Sequence, residues 1–502
     1  MKKPNILWIT SDQQHWDTLG AFNSEVSTPN LDRLINEGMT FTRAYCPNPT
    51  CTPTRSSLIT GMYPSQHGAW SLGTKLREDV PTIGDLLRDK GYRSALIGKA
   101  HFSPRGSTEE NPSLESADKF RDLEFWKNYN DPYYGFEHIE LTRNHTNRAG
   151  VGMHYLMWLK ENGCDNWQDY FKPPAGTMDS KKEKWKWIPE EFHYDKWIAE
   201  RTNAMLEEYK ENDENFFLWA SFFDPHPPYY VSEPYDTMYD PEKVTLPEVV
   251  PGEHDKNPPH FGLTQKENPD FSAYDEDAYP ALAMKSHLHD KEEMKKNIAV
   301  YYGMITMMDK YIGKILDKLD ELGLSDNTMI MFTSDHGHVH GHHGLKNKGP
   351  FHYEDLLRVP LIARYPGQIP AGKVTDALQS LVDITPTFLS MTGHNVPLSM
   401  AGKDQSDVWR GKQERIRDHV VVEYRHQPTA MFLKSYVNQR YKLTVYYNRE
   451  YGELFDLQED PEELHNLWDD PKYKELKAEL MHKFLWAEFE TEPLYMERVS
   501  ST

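Results

Sequence analysis

Cysteine is nearly absent: Cys46, Cys51 and Cys164 are the only three in 502 residues. So sparse and odd a set supplies no disulfide framework and fits a reducing compartment. No second Cys or His stands at zinc-ligand spacing from Cys51, which argues against a zinc knuckle. Long apolar runs are missing too. Nothing approaches the ~20 residues of a membrane-spanning helix. The short run Ile6–Ile9 gives way at once to Ser11, Asp12, Gln13 and Gln14, unlike the core of a secretory signal. Positive charge is in deficit: 56 Lys and Arg against 78 Asp and Glu leave −22. That balance argues against a general affinity for nucleic acid or anionic membrane. An anionic substrate would need a local cluster of positive charge. Repeats and low-complexity tracts are also lacking. The expectation is a water-borne, cytoplasmic chain.

What is present reads as a folded enzyme-sized protein. Hydrophobic residues are 38% of the chain, enough for a sizeable core, and the length predicts one very large domain or two. "NILWIT", "RSALIGKAHF", "NFFLWASFF", "TMIMFT" and "VPLIARYPG" read as buried strands. "TPNLDRLINEG", with Thr28 as N-cap and Gly38 as stop, reads as a helix. So do "VPTIGDLLRDKGY", residues 193–210, and the amphipathic "AVYYGMITMMDKYIGKILDKLDELG". Strands alternating with helices predict an α/β fold on a mainly parallel sheet. Residues 103–195 show no regular pattern. After about 405 the texture changes to closely spaced strands and a helix near 471–488. We therefore expect a catalytic domain over 1–405 and a smaller α+β domain over 406–502 with a short antiparallel sheet.

Two segments echo one another. "WITSDQQ" (8–14) and "MFTSDHG" (331–337) each run from an apolar strand into Thr-Ser-Asp and a second polar residue. Sites in open parallel sheets form beyond the carboxyl ends of the strands, so Asp12, Gln13, Asp335 and His336 are expected to meet there. Two carboxylates, an amide oxygen and an imidazole suit Ca²⁺, Mg²⁺ or Mn²⁺, the imidazole leaning toward Mn²⁺. The structural alternative is that each Asp caps a following helix.

Cys51 lies in "NPTCTPTRSSLITG". On its own it reads as a buried inert thiol or as a thiolate activated by a helix N-terminus. Cys51-Thr52-Pro53-Thr54-Arg55 resembles the Cys-x-Pro-x-Arg signature of the type I sulfatases, with Thr54 where Ser or Ala is usual. "GKAHF" (Lys99, His101), "DPHPPY" (His226), "TSDHG", "GHHGLKNKGPFHYEDLLRVPLI" (Lys348), "LVDITPTFLSMTG" and "GELFDLQEDPEELHNL" match further motifs of that family in order. The resemblance implies a fold like alkaline phosphatase, a large α/β sandwich with a small C-terminal domain. It also implies conversion of Cys51 to formylglycine by a maturation enzyme.

The resemblance further implies roles. The aldehyde hydrate at position 51 is the nucleophile. Asp12, Gln13, Asp335, His336 and residue 51 itself bind one divalent ion, Ca²⁺ by family default, with Mn²⁺ or Mg²⁺ as rivals. Arg55 steadies the hydrate, Lys99 and Lys348 cradle the sulfate, His226 protonates the departing oxygen, and His101 takes a proton from residue 51. Gln13 and His336 depart from the commoner Asp and Asn, as they do in related phosphonate monoester hydrolases. The expected substrate is a small sulfated saccharide. A phosphonate or phosphodiester hydrolase and a non-catalytic glycan binder are the competing classes.

Two features stand apart from the motifs. His336-x-His338-x-His340-x-His342-His343, if extended, would put alternate rings on one face and offer a second metal site. The more favoured reading is that one or two of these rings, His340 and His342, line the substrate pocket. The Trp- and Tyr-bearing stretch 150–190 either stacks on sugar or packs.

Overall fold

A computed structural model of the chain describes residues 3–143, 150–172 and 186–500. The sequon Asn144-His145-Thr146 and part of the aromatic stretch lie outside them.

Eight strands form the central sheet, in the spatial order Lys373–Thr375, Met39–Phe41, Leu361–Arg364, Thr328–Ser334, Asn5–Ser11, Asn215–Ser221, Tyr92–Gly98 and His138–Leu141. Leu361–Arg364 alone runs against both of its neighbours. Side chains alternate across a strand, and here the alternation sorts them into two cores. Leu7, Ile9, Leu218, Ala220, Ile330 and Phe332 face one side. There they meet the helices Pro29–Glu37, Tyr194–Glu211 and Lys291–Glu321. Ile6, Trp8, Phe217, Trp219, Met329 and Met331 face the other, against Leu58, Ile59, Ile384 and Phe388. Both faces are covered, so the central strands are apolar throughout, as parallel strands in sandwiches must be.

The C-terminal region carries a separate four-stranded antiparallel sheet, His419–Arg425, Phe432–Asn438, Tyr441–Tyr446 and Gly452–Asp456. Val421, Tyr436, Leu443 and Leu454 pack under Leu480, Phe484 and Ala487 of the terminal helix Lys474–Glu490. Val420, Val422 and Val437 join the main core on the opposite face. The expected α/β sandwich with a small antiparallel sheet is what the chain forms.

Several local expectations need correction. Residues 103–195 are not without regular structure: they hold helices Leu123–Asn128 and Met153–Glu161, and His138–Leu141 extends the main sheet. Of the aromatic stretch, Trp158, Trp167 and Trp187 are buried in the core, so they pack and offer no sugar-stacking wall. Thr28 makes no capping hydrogen bond; its hydroxyl bonds Asp32 and the Gly20 N–H instead. The long helix begins at Lys291, where Asp290 caps the N–H groups of Glu292 and Glu293. Residues 336–343 are no strand: His340 and His343 take positive φ, and a single 3₁₀ turn spans His342–Gly344. Alternate histidines therefore do not share a face.

Candidate active site

The two echoing segments lie in register on neighbouring parallel strands, Thr10 beside Thr333 and Ser11 beside Ser334. Asp12 and Asp335 consequently leave the sheet side by side. No helix follows either strand directly, so neither Asp is a helix cap. The Gln13 and His336 N–H groups both donate to Asp335 Oδ1, at 3.1 and 3.0 Å. Gln13 adopts φ +59, a left-handed turn that a non-glycine residue takes only where the surroundings hold it.

Cys51 enters from the opposite side, as the first residue of the fully buried helix Cys51–Thr60. Its donor atom and those of Asp12, Asp335 and His336 lie within 4.8 Å of one another. Sγ is 3.3 Å from His336 Nε2 and 3.8 Å from Asp12 Oδ1. His336 Nδ1 donates to the Gly337 carbonyl at 2.9 Å, which turns the Nε2 lone pair inward, the tautomer a metal ligand requires. Gln13 Nε2 is buried without a hydrogen-bond partner. An oxygen-rich donor set with one imidazole fits a hard divalent cation.

Three cations offset the carboxylates and the thiol. Arg55 is fully buried and donates from Nε to Asp335 Oδ2 at 2.8 Å and from Nη2 to Asp12 Oδ2 at 3.2 Å. Its Nη1 reaches the Lys99 carbonyl and the Ser221 hydroxyl. Lys99 follows the Tyr92–Gly98 strand and pairs with Asp12 Oδ2. Lys348 Nζ contacts Cys51 Sγ at 3.0 Å, His336 Nε2 at 3.1 Å and His226 Nε2 at 3.4 Å. Burial pushes the Cys51 thiol pKa up, yet Lys348, Lys99 and His336 outweigh it and hold it well below the ordinary value. Burial likewise works against Lys99, but Asp12 and Cys51 hold its pKa above normal.

His101 and His226 flank the same point. His101 takes φ +62 because the Glu115 carboxylate gathers the N–H groups of His101, Phe102 and Ser103. Burial, with Arg143 adding to it, pushes the His101 pKa down to about 3. His226 Nδ1 donates to the Pro227 carbonyl. Burial and then Lys348 lower its pKa.

A cavity of about 180 Å³ opens above this cluster, lined among others by Cys51, Lys99, His101, His226 and Lys348. Larger surface hollows elsewhere hold none of these residues. The cavity also shows Arg105, Arg143 and an apolar wall of Leu72 and Phe120, which the sequence did not single out. Arg143 is fixed by the Ser103 carbonyl and Glu115. His340 and His342, expected at the substrate pocket, are not among its lining residues. His340 packs on Tyr301, and His342 stacks on His15.

The comparisons with known proteins agree with this geometry. The sulfatase family model matches residues 4–394, and a model of the N-sulphoglucosamine sulphohydrolase C-terminal region matches 341–489. An arylsulfatase of Clostridium perfringens is 30% identical over 504 residues, covering 97% of this chain and 95% of that protein. An N-acetylglucosamine-6-O-sulfatase of Bacteroides thetaiotaomicron is 25% identical, with 96% and 85% covered. The crystal structure of a phosphonate monoester hydrolase of Agrobacterium radiobacter superposes with TM-score 0.81 at 26% identity, 98% of this chain and 97% of that one covered. With its strand-end carboxylates, buried Cys-x-Pro-x-Arg helix and lysine-rich cavity, the chain belongs to the sulfatase family of sulfuric ester hydrolases, within the alkaline phosphatase superfamily.

Proposed function

We propose that the protein hydrolyses the sulfate monoester of a small sulfated saccharide, with residue 51, matured from cysteine to formylglycine, as the nucleophile. The observation that carries the reading is the placement of Cys51. It heads a buried helix, 3.0 Å from Lys348 and 3.3 Å from His336, at the floor of a cationic cavity. Its Sγ stands where the aldehyde hydrate's hydroxyls would lie. The hydrate supplies a nucleophile that an unmodified side chain lacks. A divalent ion held by Asp12, Gln13, Asp335 and His336 beside residue 51 supplies Lewis-acid stabilisation of negative charge. Ca²⁺ is our first choice of ion, with Mn²⁺ or Mg²⁺ as alternatives.

The chain's own residues divide the remaining work. Arg55 holds both carboxylates in place through its two nitrogens. Lys99 and Lys348, both buried, present fixed positive charge to the sulfate oxygens, and such charge is worth most away from bulk solvent. His226 is neutral at rest and accepts from Lys348; together they pass a proton to the departing oxygen. His101, neutral through burial, takes a proton from residue 51 on the other side. The N-acetylglucosamine-6-O-sulfatase relative and the limited cavity volume support a substrate of saccharide size.

The second reading is hydrolysis of phosphonate monoesters or phosphodiesters, favoured by the close superposition on a phosphonate monoester hydrolase. One experiment separates the two. Fully matured enzyme, loaded with Ca²⁺ or Mn²⁺, is assayed for kcat/KM over sulfated monosaccharides, aryl sulfates, phosphonate monoesters and phosphodiesters. Our reading expects sulfate esters to lead. A lead for phosphonates or diesters overturns it in favour of the second.

A further inference from the structure

Beside the site described above, and belonging to no step of it, lies a second group of metal-type donors. His15, His342 and Asp355 each offer one ligand atom, all within 4.8 Å of one another. His15 Nε2 is 3.0 Å from Asp355 Oδ1, and His342 Nδ1 is 3.6 Å from the same oxygen. A tetrahedral ion with bonds of about 2.1 Å has ligand-to-ligand edges of about 3.4 Å, which these two separations bracket. At 3.6 Å the His342–Asp355 contact is too long for a direct hydrogen bond but suits a bridging ion.

The surroundings have the form of an outer coordination shell. Asp17 Oδ1 accepts from His15 Nδ1, the carboxylate–imidazole pairing that orients a metal-ligating ring; Nε2 itself donates to Asp355 Oδ1, so an ion entering the site takes the place of that proton. His343 Nε2 stands 3.6 Å from the other Asp355 oxygen. A separate observation points to a ligand as well. His340 is only 6% exposed, neither ring nitrogen has a hydrogen-bond partner, and its ring lies 6.3 Å from that of His15. A buried imidazole with both nitrogens unpaired is costly, and a water bound to an ion in the cluster gives it a partner. His342, a quarter exposed, gives an ion or a water access from solvent.

We propose that His15, His342 and Asp355 form a second metal site, selective for a borderline divalent transition ion such as Zn²⁺, with water as fourth ligand. Two imidazoles and one carboxylate suit such an ion better than Ca²⁺ or Mg²⁺. The site joins the two loops that carry the strand-end donors: His15 lies two residues beyond Gln13, and the Asp355 carbonyl accepts from His338 N–H at 3.1 Å. An ion there pins those loops to each other without entering the cavity.

The test is metal stoichiometry of the full chain. Chelator-stripped protein is titrated with Zn²⁺, passed through gel filtration and assayed for bound zinc. Parallel titrations with Co²⁺ follow the visible absorption of a four-coordinate ion. The proposal expects the wild type to hold one equivalent of Zn²⁺ more than His342→Gln, whatever the strand-end site takes up. It also expects the four-coordinate Co²⁺ band to be lost from that variant and kept in Asp335→Asn. Because His342 is partly exposed, His342→Gln should fold; Asp355→Asn is the second variant and should lose the same equivalent. Zinc bound by the wild type in no greater amount than by His342→Gln and Asp355→Asn overturns the proposal and leaves the cluster a set of ion pairs.

Discussion

Lys348 directs its ammonium toward His226 Nε2 across 3.4 Å, while the other imidazole nitrogen is committed to the Pro227 carbonyl. On the proposed function, His226 serves the leaving group with Lys348 behind it. General acid help is typically worth ~10²–10⁴-fold. His226→Ala is expected to lose about that much on sugar or alkyl sulfates and little on an activated aryl sulfate, whose leaving group needs no proton. His101→Ala should slow both classes alike. Equal losses across a leaving-group series for His226→Ala would show that the division of roles is wrong.

The same lysine governs the thiol before maturation. In unmodified, metal-stripped protein, Cys51 is held well below the ordinary thiol pKa despite its burial. Alkylation at Cys51 should therefore vary little between pH 7 and 9. In Lys348→Met the rate should climb through that range, because the largest stabilising charge is gone. Peptide mapping after timed alkylation reads both. A wild-type rate that rises tenfold per pH unit would contradict the expectation.

Arg55 is completely buried between Asp335 and Asp12. Breaking such a pair by removing one partner costs about 3–5 kcal/mol. Arg55→Met should lower the unfolding free energy of stripped protein by that order, and a divalent ion should restore part of it, since a ligand that binds only the folded state stabilises it. A variant as stable as wild type without metal would mean the two carboxylates do not repel one another as the geometry implies.

Gly98 sits where two strands nearly touch. A Cβ there would fall 1.9 Å from the Ser221 carbonyl oxygen, at φ +111. Lys99 N–H donates to that same oxygen at 3.0 Å, so the strain would pass directly to the lysine. Gly98→Ala should destabilise by about 2–4 kcal/mol and cut turnover more than it weakens substrate binding. Wild-type melting and kinetics in this variant would refute the close approach.

Buried neutral histidines set the acid side of stability. Burial pushes His67 and His193 down to about 3. The unfolded chain binds protons at these rings below about 6.5 and the folded chain does not. Their contribution is full above that pH and falls as pH drops from about 6.5 toward 3, by up to about 1.4 kcal/mol per pH unit for each ring. The urea midpoint should be lower at pH 5.0 than at 7.5 with an unchanged slope. A higher midpoint at pH 5.0 would reverse the sign argued here.

The strand-end donors and the cysteine helix were legible because each is a local motif. Thr-Ser-Asp marks the end of an apolar strand, and the register of Ser11 with Ser334 then brings the two motifs together. Glu115 and Arg143 were not legible. They lie in a segment without periodicity, and only the left-handed turn at His101, gathered by Glu115, shows why they matter. The conformation of the histidine run was not legible either. Alternate rings would share a face only in an extended run, and positive φ at His340 and His343 rotates each ring to a different neighbour. His138–Leu141 escaped notice as a four-residue edge strand, too short for its pattern to stand out.

The central claim is that residue 51, once converted, performs the reaction. The direct measurement is the fraction of formylglycine at position 51, by peptide mass spectrometry, set against specific activity on a sulfate ester. It is made across preparations produced with and without a maturation enzyme. Activity should fall on a straight line through zero at zero conversion, and Cys51→Ala should show none. Full turnover from protein whose residue 51 is entirely an unmodified thiol would contradict the claim.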